Sequence, residues 1–151
     1  MQKAKEILHQ YWGYDSFRSL QQDAIESVIA GKDVLVLMPT GGGKSLCFQV
    51  PAMLQEGLCC VISPLVALMQ DQVQALRKRG IPAAALHAGM RKREMEITLD
   101  QAVNGALKLL YISPERLQTQ DFQQRIKAMK LNVCSAFILN LKKAIYFIFQ
   151  I

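Results

Sequence analysis

A chain of 151 residues is long enough for one domain with a buried core, and 51% hydrophobic with 20% charged residues is ordinary for a globular protein. No uncharged apolar stretch approaches the roughly 20 residues of a membrane span, and residues 1–10 form a polar, charged helical pattern without the apolar core of a signal peptide, which points to the cytoplasm. A net charge of +6 mildly favours a polyanionic partner.

In chain order, residues 4–12 read as a helix with Ile7, Leu8, Tyr11 and Trp12 on one face. Residues 20–30 form a second, stopped by Gly31. The apolar run 33–38 (D-V-L-V-L-M) reads as a buried parallel strand, followed by a helix over 44–53 that ends or kinks near Pro51. The unit then repeats: strand 58–63, helix 65–79 closed by Gly80, strand 83–86, amphipathic helix 91–103, strand 107–113 and helix 122–129. Alternating strands and helices predict an α/β fold with a mostly parallel sheet. The cysteines Cys47, Cys59, Cys60 and Cys134 have no C-x-x-C spacing and read as reduced, mostly buried thiols. His9 and His87 have no metal-like partners and carry no assignment.

The strongest chemical signal is M-P-T-G-G-G-K-S at residues 38–45. A strand leads into a glycine turn and a helix begins at the lysine, which is the register of a P-loop. Gly41, Gly42 and Gly43 allow backbone conformations that aim successive N–H groups at phosphate oxygens, with Thr40 in the same loop. The helix N-terminus adds the positive end of its dipole. Lys44 is placed for the β- and γ-phosphates, and the Ser45 hydroxyl for Mg2+. Upstream, Tyr14, Phe17, Arg18 and Gln21 form a weaker pattern. A glutamine amide can pair with N6 and N7 of adenine, and a tyrosine ring can stack on the base. Alone, a solvated glutamine at a helix start is the better reading; about twenty residues before a P-loop, the functional one gains weight.

The basic groups divide differently. Arg77, Lys78 and Arg79 fall in a last helical turn, where cations complement the dipole. Arg91, Lys92 and Arg93 open a helix, where it disfavours them; they read as a solvated face with a phosphate contact as the alternative.

Taken together, residues 13–21 (G-Y-D-S-F-R-S-L-Q), 38–45, 63–73 (S-P-L-V-A-L-M-Q-D-Q-V) and 111–117 (Y-I-S-P-E-R-L) resemble the N-terminal motor half of RecQ-type DNA helicases of superfamily 2, with similarity over about residues 7–133. Met38 at the first P-loop position fits that family. The resemblance implies a RecA-like P-loop fold that binds ATP and Mg2+ and couples ATP hydrolysis to DNA unwinding in repair and recombination. It implies that Tyr14 stacks on adenine and that Arg18 and Gln21 contact the nucleotide. It also implies that Ser63-Pro64 and Ser113-Pro114-Glu115-Arg116 border a single-stranded DNA track. N-capping by each serine with proline at the first helical position is the structural alternative, and both can hold.

One element is missing. The family carries an Asp-Glu-Ala-His box on the strand after a segment like residues 130–133, where this chain runs Cys134-Ser135-Ala136-Phe137-Ile138-Leu139-Asn140. The last acidic residue is Asp121, and no Asp-Glu pair occurs. The expected organisation is therefore an incomplete helicase ATP-binding domain over residues 1–133, with a divergent hydrophobic, aggregation-prone tail over 134–151, as from truncation or a frame shift. A GTPase or nucleotide kinase would need N-K-x-D or an arginine lid, and neither appears. A non-catalytic nucleotide- or DNA-binding fragment remains the alternative to an enzyme.

Overall fold

The computed structural model describes residues 1–39, 41–140 and 143–150, with residues 137–140 and 143–150 described by their backbone. Helices α1 (Gln2–Trp12) and α2 (Ser19–Ile29) precede strand β1 (Val34–Met38) and helix α3 (Leu46–Leu54). Then follow β2 (Leu58–Ile62), α4 (Val66–Lys78), β3 (Ala83–Leu86), α5 (Lys92–Val103) and β4 (Leu109–Ile112). Two short helices, α6 (Pro114–Leu117) and α7 (Gln120–Arg125), lead through a 3-10 turn to β5 (Leu131–Asn140) and β6 (Lys143–Gln150).

The strands form one sheet in the order β1-β6-β5-β2-β4-β3. β5, β2, β4 and β3 are mutually parallel, while β6 runs antiparallel to both β5 and β1. Two reversals restore direction, so β1 points the same way as the parallel set. The chain therefore leaves β1, β2, β4 and β5 at one edge of the sheet. Open α/β sheets bind ligands beyond those carboxyl ends.

Burial explains the strands. β2 is L-C-C-V-I, buried along nearly its whole length, as a central parallel strand covered on both faces must be. Its alternate residues feed two different cores. Cys59 and Val61 join Val36, Met38, Phe48, Met69, Leu109 and Tyr111 on one face. Leu58 and Cys60 join Leu86, Leu99, Leu110, Ile112 and Phe122 on the other. A third cluster, including Leu8, Phe17, Ile25 and Val50, clamps α1 and α2 onto α3. β1 is one-sided: Val36 and Met38 are buried while Leu35 and Leu37 are exposed. Among the described residues no helix is long and apolar enough to cross a membrane.

Several boundaries differ from the sequence expectation. α3 starts at Leu46, with Ser45 as its N-cap residue, and runs through Pro51 to Leu54. The proline removes only one donor, and the buried face of α3 outweighs that loss. Ser63 is not an N-cap, because α4 begins at Val66 with Leu65 in extended conformation as its cap residue. Ser113 does cap α6 with Pro114 at the first turn, although its hydroxyl makes no capping hydrogen bond. The helix expected over 122–129 is α7 followed by the 3-10 turn Ile126–Ala128. Of the tail, residues 141, 142 and 151 lie outside the described residues.

Gly57 sets how closely β5 approaches β2. Its φ is 106°, and a Cβ there would sit 2.5 Å from the Lys130 carbonyl oxygen. The same oxygen accepts the Leu58 N–H at 2.7 Å, at the start of the β2–β5 pairing. Gly57→Ala should destabilise the fold by about 1–3 kcal/mol through backbone strain, read as a lower urea midpoint. An unchanged midpoint would show that the approach has slack.

Candidate nucleotide site

The P-loop leaves the end of β1 and enters α3. Gly41 and Gly43 adopt φ of 80° and 71°, a region that disfavours every side chain. Gly42 N–H donates to the Pro39 carbonyl at 3.1 Å, closing the turn. Thr40 lies outside the described residues. Lys44 is 8% exposed, and its ammonium donates to the carbonyl oxygens of Met38 at 2.9 Å and Pro39 at 3.0 Å. Among the described residues no carboxylate pairs with it. A buried cation without a counterion among the described residues, at the mouth of a glycine turn, can attract an anion.

Gln21, buried on the first turn of α2, braces this loop. Its Nε2 donates to the carbonyl oxygens of Gly42 and Gly43, each at 3.1 Å, and its Oε1 accepts the Arg18 N–H at 3.0 Å. A Cβ on Gly43 would meet that Nε2 at 2.3 Å, so the amide needs a glycine beneath it. The Arg18 guanidinium donates to the Gly41 carbonyl at 3.2 Å. Arg18 and Gln21 are therefore in contact with the P-loop, over 20 residues away in sequence. Tyr14 is 58% exposed, on the turn between α1 and α2.

On the other side of the loop, the Ser45 hydroxyl accepts a hydrogen bond from Gln72 Nε2 at 3.0 Å. Gln72 Oε1 accepts the Tyr111 hydroxyl at 2.7 Å, and Tyr111 accepts from Gln49 Nε2 at 3.1 Å. The sequence reading did not single out Gln49, Gln72 or Tyr111. They come from α3, α4 and β4, and only the tertiary fold brings them together.

Ser63 and Ser113 occupy corresponding positions, after β2 and β4 at the shared edge. Ser63 Oγ accepts the Leu65 N–H at 3.3 Å. Ser113 is 1% exposed, and its Oγ has no hydrogen-bond partner among the described residues. Pro114 and Glu115 are exposed and Arg116 is half-buried. The basic run at 91–93 is exposed at the start of α5, where Arg91 N–H donates to Glu94 Oε2 at 3.1 Å. At the end of α4, Arg77 Nε donates to the Ala83 carbonyl at 2.7 Å, tying the helix to edge strand β3. A groove of about 550 Å3 beside it is lined by residues including Val73, Arg77, Ala84 and His87, and touches none of the P-loop.

Three of the four thiols are pushed up and one, Cys134, is lowered by its hydrogen bond with Cys60. Burial pushes Cys47 up to about 12 and raises Cys59 as well. Cys60 is raised by its hydrogen bond with Cys134 and by burial. All four are free, and among the described residues no group of three His, Cys, Asp or Glu side chains could hold a metal ion.

The DEAD/DEAH box helicase model matches residues 18–139. The chain belongs to that family. Within it, the chain is 52% identical over 119 residues to the ATP-dependent DNA helicase RecQ of Synechocystis sp., covering 79% of this chain and 25% of that protein. It is 45% identical over 131 residues to RecQ of Pasteurella multocida, covering 87% of this chain and 21% of that protein. It is 41% identical over 134 residues to the probable ATP-dependent DNA helicase RecS of Bacillus subtilis, covering 88% of this chain and 27% of that protein. The chain thus spans about a fifth to a quarter of the length of these curated relatives. The DUF1998 helicase MrfA superposes with a TM-score of 0.71 at 18% identity, over 90% of this chain and 23% of that one. A hypothetical ATP-dependent RNA helicase from Sulfolobus tokodaii gives 0.63 at 18% identity, over 87% and 41%. These likenesses agree with the helicase-type α/β fold.

Because Gln21 ties α2 to two P-loop carbonyls, its removal should be felt without any nucleotide. Gln21→Ala should cost about 1–3 kcal/mol by leaving those buried acceptors and the Arg18 N–H short of a partner. Denaturant unfolding of the nucleotide-free protein checks this. Equal stability of parent and variant would mean that the glutamine does not brace the loop.

Proposed function

We propose that this chain is the ATP-binding part of a RecQ-like, ATP-dependent DNA helicase that works in DNA repair and recombination in the cytoplasm. The observation that carries the reading is Lys44: a buried ammonium whose partners among the described residues are carbonyls, at the mouth of a glycine turn, in a chain of the DEAD/DEAH box family. A triphosphate supplies the missing negative charge. In this reading the loop of Thr40, Gly41, Gly42 and Gly43 cradles the phosphates, Lys44 faces the β- and γ-phosphates, and Ser45 ligates Mg2+. The divalent ion, when bound, neutralises developing charge on the phosphate oxygens.

Tyr14 stacks on adenine, and Arg18 and Gln21 contact the nucleotide. Gln21 keeps a lone pair on Oε1 for an adenine amino group while its N–H groups remain on the loop. Ser63-Pro64 and Ser113-Pro114-Glu115-Arg116 border single-stranded DNA. Ser63 and Ser113 follow β2 and β4 at the same edge of the sheet, with Pro64, Pro114 and Glu115 exposed beside them, which supports this reading. Residues 1–133 form the nucleotide-binding unit, and 134–151 a divergent tail.

A second reading has its own support. Asp121 is the last acidic residue, so the end of β5 carries no carboxylate to hold Mg2+ or activate water. By itself this chain then acts as a non-catalytic nucleotide- or DNA-binding fragment. The two readings share a binding site and differ in turnover.

Lys44→Ala should remove most triphosphate affinity, because it deletes the buried charge facing the phosphates. Titration of a fluorescent ATP analogue measures it, and equal affinity in parent and variant would overturn the nucleotide assignment. The parent chain should show no DNA-stimulated phosphate release and no strand separation. Loss of a general base alone costs about 10²–10⁴-fold in rate. DNA-stimulated hydrolysis that disappears in Lys44→Ala would instead place a catalytic acid elsewhere in this chain.

A further inference from the structure

We propose that Gln72 is a positioning residue of the nucleotide site, setting the orientation of the Ser45 hydroxyl toward the divalent cation. The proposal rests on the nucleotide reading of the P-loop given above.

Each hydrogen bond in the relay fixes the direction of the next. Gln49 Nε2 can only donate, so at 3.1 Å it makes Tyr111 Oη the acceptor. The Tyr111 hydroxyl in turn donates to Gln72 Oε1, at 2.7 Å. With its oxygen committed to Tyr111, the Gln72 amide presents Nε2 to Ser45 Oγ at 3.0 Å. The amide cannot flip without facing its nitrogen to the Tyr111 proton. A secondary contact of 3.5 Å from Gln49 Nε2 to Gln72 Oε1 favours the same orientation.

For Ser45 the result is specific. Its oxygen accepts one N–H from Gln72, which turns the hydroxyl proton away from α4 and leaves one lone pair for a cation. The far end of the relay is rigid, with Gln49 5% and Tyr111 2% exposed. The near end is half-buried, at the mouth of the loop. Chains of this kind polarise cooperatively, and each link fixes the next.

The relay also joins the nucleotide site to the rest of the edge. Gln72 rides on α4, which follows Ser63-Pro64, and Tyr111 lies on β4, just before Ser113-Pro114. A displacement of either segment shifts the donor that holds Ser45.

The test is nucleotide affinity with Mg2+ divided by affinity in EDTA, read with a fluorescent ATP analogue on the full chain, alongside circular dichroism and thermal melting. Gln72→Leu, close in size and without the amide, should lower that ratio about 3- to 10-fold, as for loss of a single polar contact. Its EDTA affinity should stay within about 2-fold of the parent. Tyr111→Phe should move the ratio the same way by a smaller factor, since it frees the amide to flip without removing it. Gln72→Glu should raise the ratio, because a carboxylate accepts the Ser45 proton and adds a charge beside the cation. The opposite signs of Leu and Glu are what a packing role does not produce. A Gln72→Leu ratio equal to the parent's, with Lys44→Ala still abolishing binding, overturns the proposal and leaves the nucleotide site standing. So does an equal fall in the Leu and Glu variants accompanied by lower melting temperatures. Absence of any Lys44-dependent nucleotide binding in the parent overturns both.

Discussion

A lysine ammonium withdrawn from water must find acceptors, and at Lys44 these are two main-chain carbonyls where β1 ends and its own loop begins. Much of the architecture serves that arrangement. The carbonyls of Met38 and Pro39 converge because β1 stops and the chain reverses over glycines. The chain can reverse that tightly because α2 supplies a glutamine to hold the far side of the turn. α2 is in turn held by the cluster that packs Ile25 against Leu46 and Val50 of α3. The lysine, the loop and the helix after it are thus one mechanical unit, and its packing leaves the charge uncompensated by any carboxylate among the described residues.

The polar work around the loop is done by amides. Gln21 secures the α2 side, and Gln72 and Gln49 secure the α4 and α3 sides through Tyr111. A glutamine gives and takes hydrogen bonds in one plane without adding a full charge beside Lys44. Carboxylates in these places would neutralise the lysine and compete with a phosphate for it. The neutral amides, with the Arg18 guanidinium on the Gly41 carbonyl, hold the loop's shape without setting a carboxylate against the ammonium.

Local patterning made most of the fold legible. The buried apolar run of β2 and the strand 83–86 could be read directly, as could the glycine stops after α2 and α4, because each depends on neighbours within a turn or two. The P-loop was legible for the same reason: its strand, glycines, lysine and helix are contiguous. Less legible were features set by tertiary packing. Pro51 does not end α3, because the helix is buried along most of its length. Ser63 gave the spacing of an N-cap, yet its hydroxyl turns to the Leu65 N–H and α4 begins later. The Ser45–Gln72–Tyr111–Gln49 relay joins three elements with no shared sequence pattern. Neither the antiparallel β6 nor its place between β5 and β1 had a local signal at all.

The sheet order also governs how the chain meets its surroundings during synthesis. β2 ends at Ile62, but its neighbours β4 and β5 begin at Leu109 and Leu131, so the first of them follows 109 − 62 = 47 residues later. At about 5–20 residues per second, L-C-C-V-I waits roughly 2–10 s for its first partner strand and longer for its second. Throughout that interval it is an apolar segment with both edges open, the kind of surface that trigger-type chaperones cover and that self-association otherwise claims. A strand that ends buried on both faces is therefore open to the cell for seconds while the protein is being made.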